Sequence, residues 1–490
     1  MKIEYQQAKT NIPTCSIAGR FLHSKYDPKR EAQRFVAELS LQENITQLIV
    51  LEPCLSYIAP FLKEKFPSVK LIAIHFCEEF IKFSKPFFDI SLPYNHSTFF
   101  NDFYPIFNEE NLQKSEIITW IGSEIIFSDE LKKITQDIKN HISTCKDILA
   151  TRFFFAPKWR NNSIKFFMSI NKYISSFNTT KPIIIAASGP SLKSSLAILQ
   201  KNRDRFFLIA VSSAILPLVE KKIIPDLCLS TDGGYWAEKH LEILQQYAIP
   251  LAITPESAIN SLLLKKSTIF PLTYGDQLEI EFYHHLGIKP FFAERNGTVT
   301  GTAVKLALQL THEKVAICGL DMSEPKGFPH IQPNALEKDK ENHDYKLAPK
   351  ELRLYNPTSN ASLAIYKNWF QGAAMQQFEN RVFRIHNYQD TIMPIQNFQE
   401  CTLEDFFTRI SKNGTTHFTS NQQNTRNFYS KLCTIYDNLT KSSIISKEIG
   451  NYFAYQSYFL YVKNKTEENF NKVYREILQY LERILQNYHE

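Results

Sequence analysis

The chain has 490 residues, 43% hydrophobic and 22% charged, an ordinary globular composition that excludes a disordered or fibrous protein. Its 56 Lys and Arg and 50 Asp and Glu give a net charge of +6, mixed along the chain with no run of five like charges. This excludes a nucleic-acid-binding stripe and suits a small anionic ligand.

Eight scattered cysteines (Cys15, Cys54, Cys77, Cys145, Cys228, Cys318, Cys401, Cys433) form no CxxC pair. They point to a reducing compartment rather than a disulfide framework or zinc site. The start, MKIEYQQAKT, lacks the apolar core of a signal peptide, and the longest uncharged apolar stretch, Phe206 to Val219, is too short to span a membrane. A cytoplasmic protein is expected.

Residues 1–150 read as a small α/β domain. TQLIVLEP and VKLIAIHF are β-branched runs with the spacing of buried strands, and SYIAPFLKEKF between them has helical spacing, a βαβ unit. SEIITWIG adds a strand before a helical pattern from Ser128 toward Arg152. Where a nucleotide-binding unit places glycines, the chain has Glu52-Pro53-Cys54, so no nucleotide is expected here.

Residues 151–405 open with a helical connector and then alternate. KPIIIAAS, RFFLIAV, PDLCLST, IPLAIT, STIFPL and EKVAICGL read as six strands of a doubly wound, mostly parallel, Rossmann-like sheet. Ligands of such sheets sit beyond the carboxyl ends of the strands. Residues 406–490 show only amphipathic helical patterns from about 415 onward, read as a helical cap or a surface for homo-oligomer formation.

The sharpest motif is PIIIAASGPSLKSSL. A strand ends at Ala187, Ser188-Gly189-Pro190-Ser191 turns, and a helix begins near Leu192. Glycine permits close approach, proline suits the first helical turn, and free N–H groups at a positive helix end make an anion site. The same pattern also fits a turn with no ligand. The next strand ends in Ser212-Ser213, with room for a base or ribose, and the one after it in Thr231-Asp232-Gly233-Gly234. Asp232 either accepts from ribose or sugar hydroxyls or caps the helix near Tyr235. Arg295 to Thr302, with Thr298 and Thr300, forms a second Gly/Thr-rich helix entry. After VAICGL, Asp321 either orients a hydroxyl or closes a turn. The polar stretch that follows, with His330, His343, Tyr345 and Tyr355, reads as an active-site loop in which either histidine could be a general base. No DxD pair sits at a strand end and no His/Asp cluster has metal spacing, so no metal and no cofactor are expected.

Taken in order, GPSL after a strand, PDLCLSTD, GTVTGTAVKLAL and VAICGLDMS resemble the Maf (motility-associated factor) family of flagellin glycosyltransferases. The central domain also resembles the archaeal 6-hydroxymethylpterin diphosphokinase and, more distantly, sialyltransferases that use CMP-sialic acid. LHSKYDPKREAQRF at Leu22–Phe35 and YKNWFQ at Tyr366–Gln371 extend the resemblance over most of residues 20–405. It implies inverting, metal-independent transfer of a pseudaminic- or legionaminic-type sugar from a CMP donor to Ser/Thr of flagellin. By position, Ser188, Gly189, Pro190 and Ser191 would line the phosphate site, and Ser212, Ser213 and Asp232 would face the nucleoside. Thr298, Thr300 and Asp321 would lie near the sugar, with His330 as base and Tyr345 and Tyr355 at the phosphate. Asp321 and His330 are the catalytic candidates. Alternatives are an ATP-dependent pterin diphosphokinase and a non-catalytic flagellin-binding protein.

Overall fold

The computed structural model describes residues 2–42, 45–96, 98–108, 111–295, 297–322, 330–336, 366–367, 369–371, 375, 378, 380–387, 395, 398–410, 414–423 and 426–487. Two compact units divide the chain, Met1–Arg152 and Phe153–Glu490.

In the first unit β1 (Ile3–Gln7), β2 (Pro13–Ile17) and β3 (Arg20–Phe21) form a small antiparallel sheet. Helix α1 (Pro28–Glu38) follows, started by Asp27, whose carboxylate accepts from Arg30 N at 3.0 Å. Strands β4 (Gln47–Leu51), β5 (Lys70–His75), β6 (Ile90–Pro93) and β7 (Ser115–Thr119) then make a parallel sheet in the order β6-β5-β4-β7. Helices α2 (Ile58–Lys65), α3 (Ile81–Ser84) and α4 (Phe99–Phe103) lie between them in sequence. The uninterrupted apolar runs are explained by cores on both faces. Leu48, Val50, Leu71 and Ala73 join Val36, Leu62 and Trp120 on one face, while Ile49, Leu51, Ile72 and Ile74 join Phe99, Phe103 and Ile134 on the other.

After β4 the chain takes the left-handed region at Glu52, Cys54 and Ser56 (φ 44°, 51° and 62°), a conformation that favours glycine. The buried Glu52 carboxylate holds this turn, accepting from the N–H groups of Cys54, Phe76 and Cys77 at 3.2, 2.7 and 3.0 Å. His75 Nδ1 lies 3.1 Å from the same carboxylate.

Helix α5 (Ser128–Ser169) contains the division between the units. In the second unit the strands are β8 (Lys172–Thr179), β9 (Ile183–Ala186), β10 (Phe207–Val211), β11 (Leu227–Ser230), β12 (Leu251–Ile253), β13 (Thr268–Thr273), β14 (Phe291–Phe292), β15 (Val315–Cys318), β16 (Val382–Ile385), β17 (Gln399–Cys401) and β18 (Thr416–Gln422). The connecting helices are α6 (Leu192–Lys201), α7 (Ile215–Glu220), α8 (Tyr235–Leu241), α9 (Ser261–Lys266), α10 (Gln277–His285) and α11 (Val299–Leu310). The sheet order is β17-β16-β15-β9-β10-β11-β12-β13-β8-β18, with β14 beside β13. All pairs are parallel except β18 on β8.

All six strands expected from sequence are present, as β9 to β13 and β15. From β9 the chain winds outward to β13, then returns through α11 to β15 on the other side of β9. The order therefore reverses between β9 and β15.

The expectation of helix alone from about 415 is corrected by β18. Its sequence, THFTSNQ, is exposed along nearly its whole length and shows no apolar alternation. Only its pairing with β8 makes it a strand. Beyond it run four helices, Arg426–Ser442, Lys447–Phe453, Tyr455–Lys463 and Glu467–Asn487. They share the core of the sheet unit, since Phe428 packs 5.2 Å from Phe167 and 5.0 Å from Phe282 between ring centres. Among the described residues no helix is long and apolar enough to cross a membrane.

Candidate active site

The strand order reverses between β9 and β15, and the carboxyl ends of the strands at such a reversal are where doubly wound sheets bind ligands. Both ends turn on glycine. Gly189 N donates to Gly319 O at 2.9 Å, and Ala187 N to Cys318 O at 2.8 Å. A Cβ on Gly189 would overlap Gly319 O and stand 2.7 Å from the Asp321 carboxylate. A Cβ on Gly319 (φ 78°) would stand 2.5 Å from Ala187 O. Gly189 is therefore required by the approach of the neighbouring turn, where sequence pointed to the approach of a ligand.

Asp321 reaches across this crossing. Its carboxylate accepts from Ser191 N at 3.0 Å and from the Ser191 hydroxyl. The expectation of free N–H groups at the start of α6 is corrected accordingly. Leu192, Lys193 and Ser194 donate to Gly189, Pro190 and Ser191 carbonyls, and Gly189 and Ser191 donate as described. A carboxylate of the protein itself occupies the positive end of α6, where an anion is favoured.

His330 follows the β15 turn in space as well as in sequence. Ile331 N donates to Ser188 O at 2.8 Å, and Asn334 Nδ2 to Ser213 O at 3.0 Å. The segment 330–334 thus lies against the ends of β9 and β10, bringing His330 beside Ser188–Ser191, with Ser212 buried and Ser213 half-buried. His240 on α8 is close enough to feel it. Burial first, and then repulsion from His330, pushes the His240 imidazole down to about 4.

Asp232 and the two threonines lie elsewhere on the rim. Asp232 is exposed and accepts from Gly234 N at 2.8 Å, closing a local turn; the cap that sequence offered as its alternative is not made, since Gly234 starts α8 with no side-chain cap bond. Three strand spacings of about 4.8 Å put the ends of β11 and β15 about 14 Å apart, too far for Asp232 and Asp321 to share one ion. Among the described residues no three His, Cys, Asp or Glu side chains are grouped to hold a metal. Thr298 caps α11, its hydroxyl accepting from Gly301 N at 2.8 Å, while Thr300 is half-buried in the first turn. His343, Tyr345 and Tyr355 lie outside the described residues.

Two features escaped the sequence reading. Arg384 on β16 is 1% exposed; its Nε donates to Leu320 O at 2.8 Å and its Nη2 to Asp321 O at 2.9 Å. Its Nη1 is 2.8 Å from Glu400 on β17, so it fixes the turn that carries Asp321. The only hint in sequence is a cation inside the apolar run VFRI. Farther along the rim Arg295 forks onto Glu256 at 2.8 and 2.7 Å, with its guanidinium 4.1 Å from the Tyr274 ring centre.

Residues 159–327 match a family model described as 6-hydroxymethylpterin diphosphokinase MptE-like. An uncharacterized protein of Treponema pallidum (strain Nichols) is 28% identical over 298 residues, 61% of this chain and 65% of the relative. A second uncharacterized protein of that organism is 26% identical over 161 residues, 32% of this chain and 28% of its own length. The chain thus spans less than two thirds of each of these relatives. Among solved structures, a Maf glycosyltransferase from Magnetospirillum magneticum AMB-1 shares the fold with a TM-score of 0.50 at 10% identity. That likeness covers 99% of this chain and 90% of that one.

Proposed function

We propose that this chain, whose fold is like that of a Maf glycosyltransferase and whose residues 159–327 match an MptE-like family model, is a glycosyltransferase of the Maf type. In this reading it moves a pseudaminic- or legionaminic-type sugar from a CMP donor to Ser/Thr of flagellin in the cytoplasm. The observation that supports it is the meeting of three polar segments, Ser188–Ser191, Gly319–Asp321 and His330–Asn334, at the reversal point of a doubly wound sheet.

The CMP phosphate would bind at Ser188 and Ser191, with the nucleoside along Ser212, Ser213 and Asp232 and the sugar toward Thr298 and Thr300. Ser191 is shared with Asp321, so phosphate and carboxylate compete for one hydroxyl and one N–H. Transfer relieves the competition. As the acceptor oxygen bonds to the anomeric carbon, the bond to phosphate breaks and CMP leaves with the electron pair. The acceptor proton passes to Asp321 or His330. A neutral Asp321 then leaves Ser191 and the α6 dipole to the departing phosphate. This scheme inverts the anomeric centre and uses no metal.

The MptE-like match supports a second reading, an ATP-dependent diphosphokinase. Thermal-shift titration with CMP, CDP, ATP and GTP, each with and without Mg²⁺, separates the two, because a ligand of the native state raises the melting temperature. A shift with CMP that ignores Mg²⁺, followed by transfer to unmodified flagellin, is the expected result. A shift only with ATP and Mg²⁺ favours the kinase, and none at all a flagellin-binding protein.

A further inference from the structure

The small sheet of the first unit has an open edge. Among the described residues strand β1 pairs with β2 alone, in the register Ile3↔Ile17, Tyr5↔Cys15, Gln7↔Pro13. Leu22 N donates to Cys15 O at 2.9 Å, so the backbone polar groups of Cys15 face β3. Its partner Tyr5 is then in a non-hydrogen-bonded pair, and its own N–H and C=O point away from β2. Alternation gives Ile3 and Gln7 the same direction, consistent with Pro13, which has no N–H to give Gln7. Among the described residues nothing bonds to these outward groups.

Beside this edge lies an apolar cavity of about 310 Å³, lined by Tyr5, Leu55, Tyr57, Phe83 and Phe87 among others. Tyr5 and Phe87 are 47% and 43% exposed. The cavity's one charged lining group is Lys82, whose Nζ is 5.0 Å from the Phe83 ring centre and 6.0 Å from that of Tyr5. Among the described residues Lys82 forms no ion pair.

We propose that this edge and cavity bind an extended peptide, which adds a strand to β1, sets a large apolar side chain in the cavity and gives Lys82 a carboxylate. Side chains of a strand share a face at every second residue. The apolar and acidic residues therefore stand two apart in the ligand. A second copy of this chain does not meet the requirement. Antiparallel pairing sets outward-facing residues opposite each other, so a second β1 would bring Ile3, Tyr5 and Gln7 over the cavity, none of them anionic. The inference concerns the first unit and does not depend on the reading of the second.

The test begins with a phage-displayed library of random ten-residue peptides panned on the full chain. Enrichment of a large apolar residue two positions from Asp or Glu is expected. A synthetic peptide of the enriched sequence should bind saturably and lose at least tenfold in affinity to Lys82→Glu, an exposed site where folding is unaffected. N-methylation of the residue opposite Tyr5 should weaken it comparably. Tyr5→Pro removes the outward N–H without breaking the sheet ladder and should also weaken it. No enrichment, or binding indifferent to Lys82→Glu and to N-methylation, overturns the proposal. So does self-association of the chain that Tyr5→Pro abolishes, which would make a second copy the occupant.

Discussion

Asp321 and Ser191 show how much one carboxylate changes the meaning of a motif. A serine after Gly-Pro at a helix start suggests a hydroxyl waiting for phosphate, yet here both its hydroxyl and its N–H bond the same side chain. If nucleotide phosphate approaches Ser191, the Asp321 charge opposes it, and Asp321→Asn removes the charge while still accepting from Ser191 N. CMP affinity measured by calorimetry should then rise several-fold while the rate of transfer falls. Unchanged affinity would place the phosphate elsewhere. Gly189 is a poorer probe, because the first added carbon already meets the backbone of Gly319. A bulky side chain there should cost about 1–3 kcal/mol of stability as well as binding, so its effect on binding cannot be read alone.

Among the elements, β16 matters more to the site than its four residues suggest. Arg384 satisfies the buried Leu320 carbonyl and the half-buried Asp321 carbonyl of the β15 turn and pairs with Glu400. Arg384→Met strands the Leu320 and Asp321 carbonyls, while Glu400, a third exposed, keeps His386 at 3.3 Å; the loss should be about 1–3 kcal/mol in urea denaturation. Arg384→Lys keeps the charge but not the fork and should fall between. A loss below about 0.5 kcal/mol for Arg384→Met would mean that the turn holds without it. The helices after residue 425 pack onto α5 and α10, through Phe428 against Phe167 and Phe282. A chain ended before Arg426 uncovers those rings and should lose its cooperative melting transition in calorimetry.

Across the whole molecule, the buried His23 and His240 lower stability in acid, while the Glu279 carboxyl, pushed up by burial, acts in the opposite sense. His23 in the first unit accepts from Leu55 N through Nε2 at 3.0 Å, and burial pushes it down to about 3. His240 in the second unit is pushed down to about 4. Both groups have an ordinary value near 6.5 in the unfolded chain. Below that pH the unfolded chain takes protons that the native chain refuses, so stability falls with acid. The loss runs from about pH 6.5 down through 4 for His240 and 3 for His23. His23→Gln should therefore lose less melting temperature than the unchanged protein between pH 7 and 4. An acid response identical in His23→Gln and the unchanged protein would contradict the buried, neutral state of His23.

The sequence by itself determined the strands β9 to β13 and β15, the β4-α2-β5 segment of the first unit and the glycine turn after β9, but not the antiparallel β1–β3 sheet that precedes β4. Each element it determined follows from local physics, a run of β-branched residues or a glycine where the backbone must turn tightly. It also singled out Ser191, Asp321 and His330 one at a time. Only the tertiary structure decided that Ser191 and Asp321 meet and that Ile331, next to His330, bonds Ser188, because β9 and β15 lie 129 residues apart from Ala186 to Val315 and become neighbours through the winding of the sheet. The same holds for β18, whose polar residues become a strand only on β8, and for Arg384, whose partners come from β15 and β17. A hydrogen bond between distant segments leaves no periodicity in the chain that makes it, so such contacts are set by packing and are absent from any local pattern.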